Sequence, residues 1–404
     1  MVNYVFLSVY FYSVPNLRFS NPYKLRKVRL GDICTITGGY AFDSHKMKQQ
    51  GEYQIIKMGN LYNGIFDLSR NQSFINAPTK KELEYLIQKN DILITLTGTT
   101  NKKDYGYTVQ IEKPKKLLLN QRCALIRASK VNEKYLFYLL NSNDFLKQFY
   151  ASSTGGTGNQ TNVSINDMLD FKVYISNEND QLKISNILNA LDKKISTQIK
   201  IIDDLILQKK YIIYSLLEAI QDNEKIMLKD LLFDYNVKTT INNEYPVLSS
   251  TASGMYLQTE YFNKEAASDN TTGYKIIPRG YCTYRSMSDT GLFTFNIQNL
   301  VEKGIVSPAY PVFSANNYSN EFIILYLNNA SYIKKQILEL KSGGTRFALP
   351  FSTLGTLKIP KLEKEKQLSF IKTITAFERK IKNEEKILND LHKQKNYLLN
   401  NMFI

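Results

Sequence analysis

The sequence QLKISNILNALDKKISTQIKIIDDLILQKKYIIYSLL at Gln181–Leu217 has a counterpart, QLSFIKTITAFERKIKNEEKILNDLHKQKNYLLNNMF, at Gln367–Phe403. The two stretches align without a gap at an offset of 186 residues, and 12 of the 37 paired positions are identical. Neither stretch contains glycine or proline. A repeat of this length indicates that one structural element has been duplicated. At 1.5 Å per residue, each copy would form a helix about 55 Å long.

Apolar residues recur with a seven-residue period in both stretches, which is typical of coiled-coil helices. Polar residues interrupt this seam at matching places, Gln198 with Glu384 and Lys209 with Lys395, where polar groups commonly fix the register. Two unrelated amphipathic helices on separate cores are the alternative, which the gapless match disfavours. The predicted seam residues are Leu188, Leu191, Ile195, Ile202, Leu205 and Ile212 in the first helix, and Ile374, Phe377, Ile381, Leu388, Leu391 and Leu398 in the second.

The segments that precede the two helices have similar lengths and weakly similar sequences. Leu30–Ile33 matches Leu228–Leu231, and Ser153–Thr157 matches Lys341–Thr345. Short strand-like runs separated by Gly, Asn, Asp and Ser predict mixed α/β domains. We therefore predict an α+β fold with an internal pseudo-two-fold repeat, in which the two helices pair as an antiparallel coiled coil. The predicted segments are a first domain over 1–178, a spacer helix over 179–220, a second domain over 221–363 and a C-terminal spacer helix over 364–404.

The composition excludes several classes of protein. With 43% hydrophobic and 12% aromatic residues in 404, the chain is not fully disordered. No stretch reaches the roughly 18 apolar residues that a membrane-spanning helix needs. Met1–Pro15 is apolar but lacks the basic start of a signal peptide. We interpret it as a short extension, a first strand, or residues ahead of a later translation start.

Cysteine and histidine usage narrows the chemistry further. Cys34, Cys123 and Cys282 are far apart, which argues against a disulfide framework or a zinc cluster and favours a reducing, cytoplasmic compartment. The only histidines are His45 and His392, which we interpret as ordinary loop and helix positions. Catalysis that depends on histidine therefore has little support.

The charge of the chain suggests an anionic partner. The formal net charge is +15. Residues 1–180 hold 23 lysines and arginines against 15 acidic residues, whereas residues 218–366 hold 16 against 15. Neutralised phosphates give affinity for nucleic acid that does not depend on sequence. A lysine-rich, solubilising surface is the alternative, and the second domain would need few, well-placed groups to read bases.

Loops in both domains carry side chains suited to nucleic acid. Thr97–Tyr107 (TGTTNKKDYGY) combines an amide, two lysines and a glycine that would let a phosphate approach, and Thr154–Thr161 (TGGTGNQT) carries two adjacent amides. The counterparts in the second domain are Tyr284–Ser286 and Ser342–Arg346, whose arginines suit guanine, as amides suit adenine. A polar turn is the competing interpretation of each loop alone. The predicted DNA-binding residues are Lys57, Asn60, Thr99, Asn101, Lys102, Lys103, Asn159, Gln160, Ser249, Ser250, Tyr284, Arg285, Ser286, Thr345 and Arg346.

The chain resembles the specificity subunit of a type I restriction–modification system over nearly its whole length. The two repeated coiled-coil helices and the order domain–helix–domain–helix carry the resemblance. The lack of P-loop and dinucleotide-binding glycine motifs agrees with it. Four local stretches support it: Lys27–Ile33 (KVRLGDI), Val247–Phe262 (VLSSTASGMYLQTEYF), Tyr281–Asp289 (YCTYRSMSD) and Gly304–Phe313 (GIVSPAYPVF).

The resemblance implies a non-catalytic, DNA-binding subunit. Each domain would be a target recognition domain that reads one half of a bipartite site in double-stranded DNA, and the helices would set the gap between the halves. Two methyltransferase (modification) subunits would bind S-adenosylmethionine and methylate adenine, and restriction motor-nuclease subunits would use ATP and Mg. This chain itself would hold no cofactor and no metal, and would not bind a membrane. An orphan or phase-variable specificity module without an active partner, or a coiled-coil scaffold protein, remains the alternative.

Overall fold

The computed structural model describes residues 25–99, 101–155, 160–261, 270–340 and 347–403. These residues divide into two compact units. The first unit runs to Gln198 and takes in the chain again from Ile387, and the second unit is Ile199–Lys386. The predicted division into four segments stays a prediction, and the compact units each take part of both long helices.

The first unit contains short strands and short helices before the first long helix. Its helices are α1 (Lys80–Leu83), α2 (Glu133–Leu139), α3 (Asn143–Ala151) and α4 (Ile165–Asp170), followed by α5 (Glu178–Glu218), which continues into the second unit. Its strands are β1 (Arg26–Arg29), β2 (Cys34–Gly38), β3 (Tyr53–Ile56), β4 (Phe74–Ile75), β5 (Ile92–Thr95), β6 (Thr97–Thr99), β7 (Thr108–Gln110), β8 (Leu117–Leu119), β9 (Cys123–Ala128), β10 (Thr154–Gly155), β11 (Gln160–Asn162) and β12 (Lys172–Ile175).

The second unit repeats this arrangement. Its helices are α6 (Gln258–Tyr261), α7 (Asn320–Asn329), α8 (Ser331–Glu339) and α9 (Phe351–Thr356), followed by α10 (Lys364–Met402), which ends in the first unit. Its strands are β13 (Lys225–Met227), β14 (Leu232–Asp234), β15 (Leu248–Thr251), β16 (Gly254–Leu257), β17 (Lys275–Pro278), β18 (Cys282–Tyr284), β19 (Met287–Ser288), β20 (Phe295–Ile297), β21 (Lys303–Val306), β22 (Val312–Ala315), β23 (Phe347–Ala348) and β24 (Lys358–Pro360).

The central sheets of the two units have the same topology, which confirms the predicted duplication. In the first unit the strand order is β2-β9-β5-β7, and in the second it is β14-β22-β18-β20. Both sheets are antiparallel, and in both the last of the four strands in the chain lies between the first and the second. Outside this sheet, β1 pairs with β12 in the first unit as β13 pairs with β24 in the second.

Strand β5 shows why this part of the sequence is continuously apolar. Ile92 and Ile94 belong to the core cluster that contains α2 and α3, whereas Leu93 belongs to a second cluster on the other face of the sheet. Alternate residues of a strand point to opposite faces. Because both faces are covered, all four residues of β5 are buried.

Helices α5 and α10 pair in an antiparallel coiled coil, as predicted. Lys395 of α10 lies 2.6 Å from Asp192 of α5. Further along the chain Phe403 packs on the ring of Tyr135, whose hydroxyl accepts the backbone N–H of Ser176 just before α5 begins. Helix α10 therefore runs towards the start of α5. All twelve predicted seam residues are buried or half-buried.

Two equivalent ion pairs accompany the seam. In the first unit Asp192 pairs with Lys395, and in the second unit Glu378 pairs with Lys209 at 3.2 Å. Each carboxylate and each lysine is related to its counterpart by the 186-residue offset of the repeat. Asp192 also accepts a hydrogen bond from the hydroxyl of buried Tyr138 at 2.9 Å. Burial and the neighbouring carboxylate raise the pKa of this tyrosine, so that it stays a hydrogen-bond donor.

A buried glutamine ties each long helix to the domain before it. Gln181 of α5 accepts the backbone N–H of Asn132, the N-cap of α2, at 2.9 Å. Gln367 of α10 accepts the N–H of Ser319, the N-cap of α7, at 2.9 Å. Each amide nitrogen also donates to a carbonyl just before its own helix. An N-cap N–H has no partner inside its helix, so these contacts satisfy groups that would otherwise be unpaired.

Cys34, Cys123 and Cys282 are free and buried, and burial raises the pKa of the Cys34 and Cys123 thiols to about 12. Among the described residues, no helix is both long enough and apolar enough to cross a membrane.

We predict that Gln367→Ala destabilises the second unit by about 2 kcal/mol, because it leaves the Ser319 N–H without its buried partner. Hydrogen exchange of α7 should accelerate, and thermal unfolding followed by circular dichroism should shift to lower temperature. Gln208→Ala is the matched control, since Gln208 is an exposed glutamine on the other long helix. Equal effects of the two substitutions would contradict an anchoring role for Gln367.

Candidate nucleic-acid interface

The two loops that the sequence singled out in the first unit meet in the structure. Strand β6, which opens the loop 97–107, pairs with β11, which ends the loop 154–161. Thr99 lies opposite Gln160, and the hydroxyl of Thr97 donates to the side chain of Asn162 at 3.0 Å. Strand β10 completes a three-stranded antiparallel sheet at the edge of the loops. Two polar segments that are about 60 residues apart in sequence thus form one surface.

Asp104 holds the loop 97–107 in shape. Its carboxylate accepts the backbone N–H of Thr99 at 2.6 Å and the Thr99 hydroxyl at 2.8 Å. These hydrogen bonds, with the backbone contact first, lower the pKa of Asp104 below its ordinary value of 3.8. The carboxylate is therefore charged at neutral pH, and its hydrogen bonds are made inside the loop.

The structure shows why position 98 is occupied by glycine. A Cβ atom at this position would lie 2.4 Å from Cδ1 of Tyr105 and 2.6 Å from a carboxylate oxygen of Asp104. The glycine is required because the loop folds back onto its own first strand. Packing within the chain therefore requires a glycine here, and the approach of a phosphate stays a prediction.

The exposed groups of this loop are Asn101, Lys102 and Lys103. Asn101 and Lys103 have positive φ values of 67° and 51°, so the loop turns sharply at both. The Lys103 ammonium lies 5.3 Å from the ring centre of Tyr150, a cation–π contact that orients a charge otherwise free to move. On the neighbouring strand, Gln160 is exposed as well. These four side chains present amides and cations at one surface.

Sequence reasoning missed an aromatic group beside this loop. Tyr62 is 51% exposed, and its ring lies edge-on to Tyr107, the last residue of the loop, at 5.7 Å. The guanidinium of Arg70 lies 4.9 Å from the centre of the Tyr62 ring. The signal that could have found this group is the Asn63-Gly64 turn, which displays an aromatic residue next to a basic segment.

Two predicted residues in the preceding loop have different surroundings. Asn60 is fully buried. Its amide donates to the carbonyls of Asp67 and Arg70, at 2.9 and 2.5 Å, and accepts the N–H of Lys57. The Asn60 side chain is thus used to shape the loop that carries Tyr62, while Lys57 is half-buried beside it.

The second unit brings together the equivalent segments. Strand β19, directly after Tyr284–Ser286, pairs with β23, directly after Ser342–Arg346. Arg285 is exposed, whereas Ser286 is half-buried and donates to the carbonyl of Ala309 at 2.9 Å. Tyr284 is fully buried, and its hydroxyl donates to the carbonyl of Leu349 at 2.8 Å. Tyr284 therefore fixes the strand from which Arg285 projects.

The other predicted residues of the second unit are less exposed. Ser250 is buried and accepts the side-chain amide of Asn296 at 2.8 Å, and Ser249 is half-buried on the same strand. Asn159, Thr345 and Arg346 lie outside the described residues. Within the part of the chain that the structure describes, there is no group of three or more His, Cys, Asp or Glu side chains that could hold a metal ion.

A family model and several solved structures match this chain. Residues 22–205 match the family described as type I restriction modification DNA specificity domain. The S subunit of a type I restriction–modification system from M. genitalium matches over 96% of this chain and 99% of its own, with a TM-score of 0.54 and 16% identity. A structure on complex assembly and conformational transition of the type I R-M system covers 94% of this chain and 98% of its own, with a TM-score of 0.58 and 13% identity. At identities of 16% and 13%, the structural likeness shows a shared fold and nothing about function. None of the curated proteins that were compared matches the sequence.

We predict that the loop 97–107 loosens in acid because of Asp104. A carboxylate with a lowered pKa stabilises the folded loop fully above its ordinary pKa of 3.8, and loses this effect as the pH falls through the lower, folded value. The amides of Thr99 and Lys102 should therefore lose protection from hydrogen exchange as the pH falls below about 4. In Asp104→Asn the protection should be lower at pH 6 and nearly independent of pH. An unchanged pH dependence in this variant would contradict the assignment.

Proposed function

Because residues 22–205 belong to the family of type I restriction modification DNA specificity domains, and the chain has the fold of type I specificity subunits, we propose that it reads a bipartite DNA site. In this role it is the non-catalytic subunit that directs adenine methylation and restriction by partner subunits. It works in the cytoplasm, where the host DNA lies.

The observation that carries this proposal is the duplicated surface. In the first unit β6 and β11 bring two polar loops together, and in the second unit the equivalent strand β19 pairs with β23. Each unit therefore has one set of exposed polar groups on a rigid sheet, and the two sets differ in sequence. Two different readers on one chain suit a DNA site that has two different halves.

The chemistry of each surface suits a division between phosphate and base contacts. Lys102 and Lys103 would neutralise phosphates, which positions the protein without reading sequence. The amides of Asn101 and Gln160 can each form two hydrogen bonds with adenine, and Arg285 can do so with guanine. The stacked Tyr62 and Arg70 extend the first surface with an aromatic face and a second kind of cation.

The two long helices are proposed to act as the spacer between the readers. Two readers on one duplex must meet their bases at a fixed helical phase, so their separation has to be constant. We further propose that two modification subunits with S-adenosylmethionine dock on this chain, and that restriction subunits supply ATP-dependent and Mg-dependent cleavage. The chain itself then needs neither cofactor nor metal.

The test of the proposal is long-read sequencing of host DNA that detects methylated adenine, with and without this gene. A split methylated motif that disappears on deletion and returns on complementation is the expected result. If all methylated motifs survive deletion while the partner subunits are present and active, the proposed specificity role is wrong.

We predict that the double substitution Lys102→Ala and Lys103→Ala weakens DNA binding without changing the methylated motif. Each lost phosphate contact should reduce the slope of log K against log salt by about 1, hence by about 2 in all. The slope is measured by titrating a labelled duplex with the assembled complex at several salt concentrations. Lys193→Ala with Lys194→Ala is the control, since both lysines are exposed on α5. A changed motif would mean that the loop lysines read bases.

We also predict that lengthening both long helices lengthens the gap between the half-sites. One heptad inserted after Gln198 and another after Lys386 keeps the seam in phase and adds about 10 Å. At about 3.4 Å per base pair this corresponds to roughly three base pairs. The methylated motif of the variant should keep both halves and show a longer spacer. An unchanged spacer would count against the role of the helices as a ruler.

A further inference from the structure

The reading loop of the second unit displays two apolar side chains to solvent. Leu292 is 69% exposed and Met287 is 41% exposed, on the segment that connects β18 to β20. Arg285, Asp289 and Thr290 on the same segment are also exposed. A single exposed leucine would need no explanation. Here, however, the two apolar residues lie on the segment that pairs with β23 to form the candidate interface.

The turn that carries Leu292 is hydrogen-bonded within itself and packs against β23. Ser288 accepts the backbone N–H of Thr290 at 3.3 Å, and the Thr290 hydroxyl accepts the N–H of Leu292 at 3.4 Å. Gly291 has a φ of 78°, and a Cβ there would lie 3.0 Å from the ring of Phe347 in β23. The turn is therefore folded closely against the partner strand, with Leu292 next to its tightest point.

The first unit has different chemistry on the equivalent segment. Its loop between β5 and β7 exposes Asn101, Lys102 and Lys103. The second unit has almost no charge surplus, with 16 basic residues against 15 acidic ones over 218–366. It therefore has less electrostatic attraction for phosphate, and a larger share of its affinity must come from contacts with the bases themselves.

We infer that Leu292, supported by Met287, contacts the methyl group of a thymine in the half-site read by the second unit. This inference rests on the proposed function. Thymine is the one base that presents an apolar group in the major groove, and an apolar side chain is its natural partner. An aliphatic side chain at the tip of this turn can bury that methyl group, whereas an ammonium or amide group gains no comparable apolar burial.

A protein partner is a less suitable occupant of this tip. A specific protein interface buries about 800 Å² on each partner and has an apolar centre. Two apolar side chains among Arg285, Asp289 and Thr290 form a much smaller apolar area. An apolar area of this size can cover one or two base edges.

The experiment uses the assembled methyltransferase complex and duplexes that carry the motif found for the wild-type complex. Each thymine of the second half-site is replaced in turn by deoxyuridine, which removes only the methyl group. At one position the wild-type complex should bind about fourfold more weakly, as expected for one methyl group that is no longer buried. Leu292→Ala should bind the thymine and deoxyuridine duplexes equally. Leu300→Ala, another exposed leucine of the same unit, should keep the wild-type preference.

Three outcomes would overturn this inference and leave the proposed function intact. They are a second half-site without thymine on either strand, a wild-type complex that ignores every deoxyuridine, and a Leu292→Ala complex that retains the thymine preference. Loss of assembly with the modification subunits in Leu292→Ala would instead assign this residue to a protein contact. A wild-type complex that methylates no split motif would refute the proposed function itself, and is thereby distinguished from these results.

Discussion

The packing of α5 against α10 is the constraint on which both units depend. In the first unit Leu188 and Ile195 of α5 join Leu398 of α10 in the same core as α2 and α3. In the second unit Leu217 of α5 joins Ile374 of α10 in the core of α7 and α8. The first unit is therefore completed only by the last residues of the chain. Such contacts are separated by about 200 residues, so the first domain gains its full stability late in folding.

Polar contacts make this apolar packing specific. Gln181 and Gln367 attach each helix to the N-cap of the domain helix beside it, and the equivalent pairs of Asp192 with Lys395 and Glu378 with Lys209 lie along the helix pair. An apolar seam alone tolerates slippage by a heptad, whereas partners at defined positions do not. The proposed spacer role requires a single register of the two helices, and these contacts define that register.

The duplicated fold separates the framework from the recognition chemistry. Both units use the same sheet order, and in both a strand that follows a central strand pairs with a later strand, β6 with β11 and β19 with β23. On this common framework the first unit displays amides and lysines, and the second displays an arginine with Leu292 and Met287. Because the exposed tips do not contribute to the cores, they can change without loss of the fold. This is the physical basis on which one architecture can read different DNA sequences.

The sequence by itself determined the long helices, their seam, the order of the domains and the loops that form the candidate interface. These features repeat with a short period or recur at a fixed offset, so they can be recognised from the sequence alone. Only the tertiary structure decided which polar residues of those loops face solvent. Asn60 and Tyr284 carry suitable groups but are buried and bonded to the backbone, and Gly98 serves internal packing. The stretches 133–150 and 320–340 each contain two helices, with breaks at Ser142 and at Ala330. Burial depends on neighbouring residues that are far away in the sequence, and a local sequence pattern does not reveal which residues these are.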